Sequence, residues 1–227
     1  MTRAQQTAIL VIGGLALAVL AHRNGMLSSQ AIWFFAALIP AVILHEVSHG
    51  VAALAFGDDT AKQAGRLTLN PIAHIDPVWT ILIPAMLALS GAPVLGMAKP
   101  VPVNPRRMRH PRNQGLLTSL AGPATNVLLA ALAAVVMRNG LVPAGNALRF
   151  VNAFGVVNVV LAVFNMLPIP PLDGSAVLER FLPAHLLPGY LRIRQYSFVI
   201  FFVLFFLAGG LFTRILDPAV TFWYRFV

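Results

Sequence analysis

The sequence predicts an all-α polytopic membrane protein, and three observations carry that expectation. Of 227 residues, 58% are hydrophobic and only 10% are charged, against about 25% charged in soluble domains, and the mean hydropathy is +0.79. Several apolar segments approach or exceed the roughly 20 residues a helix needs to cross a bilayer core. The polar connections between them are short and no fixed-period repeat is visible, so residues 1–227 read as a single integral-membrane domain. So few charges cannot cover a water-facing surface, and such hydrophobicity excludes intrinsic disorder. The absence of cysteine excludes disulfides and thiolate metal sites. The net charge of +9 belongs, in so apolar a chain, to membrane-flanking loops rather than to nucleic-acid binding.

Taken in order, Thr7–Ala21 is a short first apolar segment behind Arg3. It resembles a signal peptide in length, but nothing soluble follows it for a signal to export, so a retained span is expected. Ala31–Phe56, Gly115–Met137, Ala147–Leu167 and Tyr196–Phe212 are the clear spans. Val78–Met97 carries Pro84, Gly91, Pro93 and Gly96, which argue against an uninterrupted crossing and leave a full span or a re-entrant hairpin open. The expected total is five to six transmembrane helices. Residues 65–70 alternate in character and residues 99–104 contain two prolines, so both are expected to form a small strand or ribbon, the second at a sheet edge.

Within the second apolar segment stands His45-Glu46-Val47-Ser48-His49. Positions i and i+4 share a helix face, so both imidazoles can reach one ion, and Glu46 beside them can take a proton from water at the metal. Zinc, one ion per chain, fits a set of neutral imidazoles with an open position. At this composition the pattern arises by chance about once in a thousand sequences. Three ionisable residues in five positions of a span, each costing ~2.5 kcal/mol or more to insert, also call for a compensating cation. The alternative is a polar patch bonded across helices. A third ligand must come from elsewhere, and Asp173 stands out because it follows a long span through Pro168, Pro170 and Pro171. A broken helix can bring a carboxylate to a buried site; a plain turn capped by Asp173 is the other reading.

These elements together resemble the site-2 protease family of zinc intramembrane metalloproteases, in particular its compact bacterial branch without a PDZ domain. The resemblance is carried by His45-Glu46-x-x-His49, Gly122-Pro123-x-x-Asn126, and Asn165 with Pro168 and Leu172-Asp173-Gly174, over a core of about residues 31–182. It implies that His45, His49 and Asp173 hold zinc, that Glu46 is the general base, and that Asn165 supports the scissile carbonyl. Asn126 is a second candidate for that support; each asparagine could instead bond helices together. The implied activity is endoproteolysis of a transmembrane protein substrate in or near its membrane segment. A divalent-metal transporter and an inert metal-binding membrane protein are the competing readings.

A shared ion requires His45, His49 and Asp173 at one depth, so the second span and Ala147–Leu167 must run parallel. With Gly115–Met137 crossing between them, Val78–Met97 is then expected to be re-entrant. That arrangement gathers eleven of the sixteen basic residues on one side, whereas counting Val78–Met97 as a crossing gives nine against seven. The positive-inside rule favours the sharper split and places the N-terminus and zinc site toward the cytoplasm of a multi-pass cell-membrane protein. The basic run 106–112 is expected to face anionic headgroups of the lipid bilayer. His74 and Asp76 either bind a second ion or fix a turn.

Overall fold

The computed structural model describes residues 29–89, 96–183, 185–207 and 209–227. The short apolar segment at residues 7–21 lies outside them. Three long helices form the centre: α1 (Ser29–Ala55), α4 (Pro111–Arg138) and α5 (Asn146–Asn165). All three are long and apolar enough to cross a membrane. At 1.5 Å per residue even the 20 residues of α5 extend about 30 Å, the depth of a hydrocarbon core. These helices pack on one another through small side chains: Ala37 and Ala41 of α1 meet Val157 of α5, while Ala130, Ala133 and Ala134 line α4. Large side chains such as Phe35, Ile39, Val127 and Leu132 point outward and are more than half exposed. Small inside and large outside is the pattern of helices that must approach closely in lipid, where burying more apolar surface against protein gains little.

Short elements connect and flank this bundle. They are α2 (Thr60–Gln63), α3 (Ile83–Leu89), α6 (Gly174–Phe181), α7 (Leu187–Arg194), α8 (Ser197–Leu207) and α9 (Gly209–Trp223). Residues 197–207 and 209–212 of the apolar stretch 196–212 are helical, in α8 and at the start of α9. Trp223 near the end of α9 anchors it to the bundle: its indole N–H donates to the Ala130 carbonyl at 3.1 Å, and its ring packs over Gly155.

The expected strands are not formed. Among the described residues there is no β-structure, and both 65–70 and 99–104 differ from expectation for a physical reason. Residues 65–70 turn, and the Thr68 carbonyl is bonded to His74 Nε2 at 2.8 Å. Residues 96–104 are extended but have no ladder partner. Pro100 and Pro102 remove alternate N–H donors, and three of the remaining ones are used by other groups. Lys99 N–H donates to the His74 carbonyl (2.9 Å), Val101 N–H to Glu46 Oε2 (2.8 Å) and Asn104 N–H to Asp58 Oδ2 (2.5 Å). Arg66 Nη2 donates to the Lys99 carbonyl at 2.5 Å. A clamp of side chains and turns stands where a ribbon was expected.

The segment beginning at Pro77 leaves and returns at one place. Asp76 accepts from the N–H groups of Val78 and Trp79, starting a wide helical turn over Pro77–Leu82 that continues into α3. Met97 N–H then donates to the Trp79 carbonyl at 3.1 Å, and the Thr80 hydroxyl donates to the Met97 carbonyl at 2.6 Å. A straight helix from 79 to 97 would separate those residues by about 27 Å. Trp79, at this closure, stacks on Phe198 of α8 with ring centroids 5.1 Å apart.

Candidate metal centre

The C-terminal half of α1 carries His45 and His49 on the face toward α4. Asp173 arrives from the segment that follows α5, where Pro168, Pro170 and Pro171 prevent the helix from continuing and the chain turns before α6. Gly174 permits that turn, because a Cβ there would overlap the Met166 carbonyl. His45 Nε2 and His49 Nε2 are 3.1 Å apart, and Asp173 Oδ2 lies 3.1 Å from the first and 3.3 Å from the second. The three side chains thus converge as a shared ion requires, with the C-terminal half of α1 beside the chain that leaves the C-terminal end of α5. Among the described residues no other group of three His, Asp or Glu side chains converges in this way.

The donor set fits zinc. Tetrahedral ligands at about 2.0–2.1 Å from zinc are about 3.3–3.4 Å from one another, and the three observed separations fall within a few tenths of that. Each imidazole has its other nitrogen occupied on α4: His49 Nδ1 meets the Thr118 carbonyl at 2.7 Å, and His45 Nδ1 meets Asn126 Oδ1 at 2.5 Å. With protons on both Nδ1 atoms, the neutral rings turn two lone pairs toward Asp173 Oδ2, a buried oxygen with no hydrogen-bond partner. Three electron-rich atoms facing one another are stable when a cation sits among them.

α4 comes this close because of Gly122. A Cβ at that position would lie 2.6 Å from Cε1 of both His45 and His49. Glu46 lines the same cavity, with Oε2 held by Val101 N–H. Although no basic partner is apparent in its own helix, Arg66 is close enough to act on it: burial pulls the Arg66 guanidinium down from its ordinary range, while the Glu46 carboxylate pushes it back up. The cavity, about 290 Å³, is walled by Val42, Leu161, Phe164 and Phe201 and by the extended segment at Ala98, Pro100 and Val101.

Asn165, the last residue of α5, also faces this cavity and donates through Nδ2 to its own helix at the Leu161 carbonyl (3.0 Å). Asn126 does not line it; it is fully buried behind His45 and bonded to Asn158 of α5 at 2.8 Å, in the interhelical role weighed for it. His74 and Asp76 fix turns through Thr68, Val78 and Trp79. Asp58, buried at the end of α1, ties the extended segment in place through Asn104. Sequence reasoning missed Arg66, Asp58, Thr118 and Asn158; of these only Asn158, a polar residue in mid-span, carried a signal.

Comparison with known proteins agrees with this chemistry. Residues 139–208, which include Asn165 and Asp173, match the model of Peptidase family M50. The chain is 40% identical over 176 residues to YwhC of Bacillus subtilis (strain 168), a protein provisionally named a zinc metalloprotease, covering 74% of this chain and 77% of that one. It is 33% identical over 183 residues to Rip2 of Mycolicibacterium smegmatis, also provisionally named a zinc metalloprotease, covering 80% of this chain and 65% of the relative. A 62-residue stretch is 47% identical to MJ0611 of Methanocaldococcus jannaschii, provisionally named in the same way, covering 27% of this chain and 31% of that one. No solved structure matches significantly.

Proposed function

The chain belongs to peptidase family M50, the site-2 protease family of zinc metalloproteases, and from that premise we propose that it is an intramembrane endopeptidase hydrolysing a peptide bond in or near a transmembrane segment of a membrane-protein substrate. One observation carries the reading: the three ligand atoms and Glu46 meet in one cavity walled in part by helices of membrane-crossing length.

His45, His49 and Asp173 hold the metal. Zinc supplies Lewis acidity that brings the pKa of water toward neutrality. Glu46 is the general base. With Oε2 anchored by Val101 N–H, its other oxygen is free to accept the proton of the attacking water and return it to the leaving amine. Asn165 keeps one amide proton on the Leu161 carbonyl, and its second can donate to the substrate carbonyl oxygen as negative charge develops there. The apolar wall of Val42, Leu161, Phe164 and Phe201 suits the side chains of a membrane segment.

The same reading orients the chain in a cell membrane as a multi-pass protein. In this reading residues 78–97 form a re-entrant hairpin, supported by the closure of Trp79 on Met97, α4 is the crossing between α1 and α5, and the charge bias of the loops favours a cytoplasmic side for the N-terminus and the metal. Glu46→Gln tests the assignment: it keeps the volume and removes the base. The variant is expected to retain one zinc per chain and lose cleavage of a membrane peptide by at least about a hundredfold. Cleavage at the wild-type rate would remove Glu46 from the mechanism.

A further inference from the structure

The two histidines reach the metal in the same way but are oriented by different means. His49 Nδ1 faces the Thr118 carbonyl, which only accepts, so that nitrogen carries a proton and Nε2 is left to bind. His45 Nδ1 faces the Asn126 side-chain amide, which can present either its oxygen or its NH₂. Were the NH₂ turned toward His45, Nδ1 would have to accept, the proton would move to Nε2, and a neutral ring could no longer ligate there. The polarity of Asn126 is set one step further away. Its Nδ2 donates to Asn158 Oδ1 at 2.8 Å, and Asn158 Nδ2 donates to the Phe154 main-chain carbonyl at 2.8 Å. That carbonyl is an acceptor only, so the amide nitrogen of Asn158 must face it, and every later group in the row is fixed in turn. Both asparagines are fully buried, which leaves no bulk water to replace a lost partner.

We propose that Phe154 C=O, acting through Asn158 and then Asn126, sets the tautomer in which His45 meets the metal, making Asn158 a positioning residue for zinc two residues removed from the ion. The proposal rests on the zinc-protease reading of the site. It differs from simple helix-to-helix bonding, which would lower stability on loss of Asn158 without a specific effect on the metal.

The test measures zinc affinity by chelator competition on the purified full chain, alongside thermal stability. Asn158→Leu leaves Asn126 without its polarity reference and is expected to weaken zinc binding about 10–100-fold. Adding Asn126→Asp should restore affinity to within about threefold of wild type, because a carboxylate accepts from either end and completes a carboxylate–histidine–metal row. That rescue is expected even though the double variant has a buried oxygen without a donor and melts lower than wild type. If Asn158→Leu binds zinc as tightly as wild type, or if the double variant binds no better than the single one, the proposal is wrong. Nitrogen-15 shifts of His45 in the zinc-free wild-type protein at a pH where the ring is neutral give a readout that needs no variant: Nδ1–H is expected, and Nε2–H would overturn the proposal. Wild-type protein that binds no zinc would instead count against the protease reading itself.

Discussion

Gly122→Ala adds one methyl group where α4 passes the two imidazoles, and the structure sets the size of the disturbance. The new Cβ would stand 2.6 Å from Cε1 of both His45 and His49, whereas unbonded carbons settle at about 3.5 Å or more. Close to 1 Å of relief is therefore needed. Neither ring can retreat freely, because His45 is bonded to Asn126 and His49 to Thr118 on the same helix. The helices must part or the rings must turn, and metal sites tolerate only about 0.2 Å of error in ligand distance. Overpacking of this kind costs about 1–3 kcal/mol in stability, and a 1 Å displacement of reacting groups costs about a hundredfold in rate. The expected result is zinc affinity lower by at least about tenfold and cleavage lower by about a hundredfold. Chelator competition and peptide turnover measure the two. Gly115→Ala is the control: on the same helix its nearest neighbour to a new Cβ is Pro105 at 3.9 Å, and it should change neither quantity. A Gly122→Ala protein with wild-type zinc affinity and turnover would refute the claim that helix approach at this glycine builds the site.

Two further outcomes follow from groups outside the metal shell. At Asp58 burial alone would raise the carboxyl pKa, but the Thr60 hydroxyl, the N–H groups of Asn104 and Thr60 and the charge of Arg107 outweigh it and hold the group below its ordinary value. A depressed folded-state pKa gives stability that is present above the unfolded value of about 3.9 and lost as pH falls through the folded one. Asp58→Asn should cost about 2 kcal/mol at pH 7, and the gap to wild type should shrink below about pH 4, as read from melting in detergent micelles; a gap independent of pH would contradict the ionic role. Trp223→Ala removes the indole over Gly155 and its bond to Ala130, and should lower stability by about 3 kcal/mol while leaving zinc content at one per chain; loss of zinc at full stability would show that α9 acts on the site directly.

The long helices and the candidate ligands were legible because their signals are local or few. Twenty apolar residues specify a membrane-length helix wherever they stand, and His45, Glu46 and His49 share a face by helical spacing alone. Asp173 was legible as a candidate from the prolines ahead of it; its place 3.1 Å from His45 required the fold. The parallel run of α1 and α5 followed from requiring a common ion. The ribbon expected at 65–70 and 99–104 failed because alternation describes extended chain, not its partner. Pro100 and Pro102 do keep the second segment extended, but its donors pair with Glu46, His74 and Asp58, contacts across up to 55 positions that no local pattern encodes. Asn126 was noticed for its polarity, but only the fold shows that its side chain is taken up by His45 and Asn158 rather than facing the cavity.

The proposed activity places the cut within the membrane. Its most direct test is to reconstitute the zinc-loaded chain in liposomes with a single-span peptide and locate any cut bond by mass spectrometry. One or a few cuts are expected inside or at the edge of the apolar segment, absent with Glu46→Gln and after chelation, and restored by added zinc. Cuts confined to the water-exposed flanks, or zinc crossing the bilayer while the peptide stays whole, would contradict it.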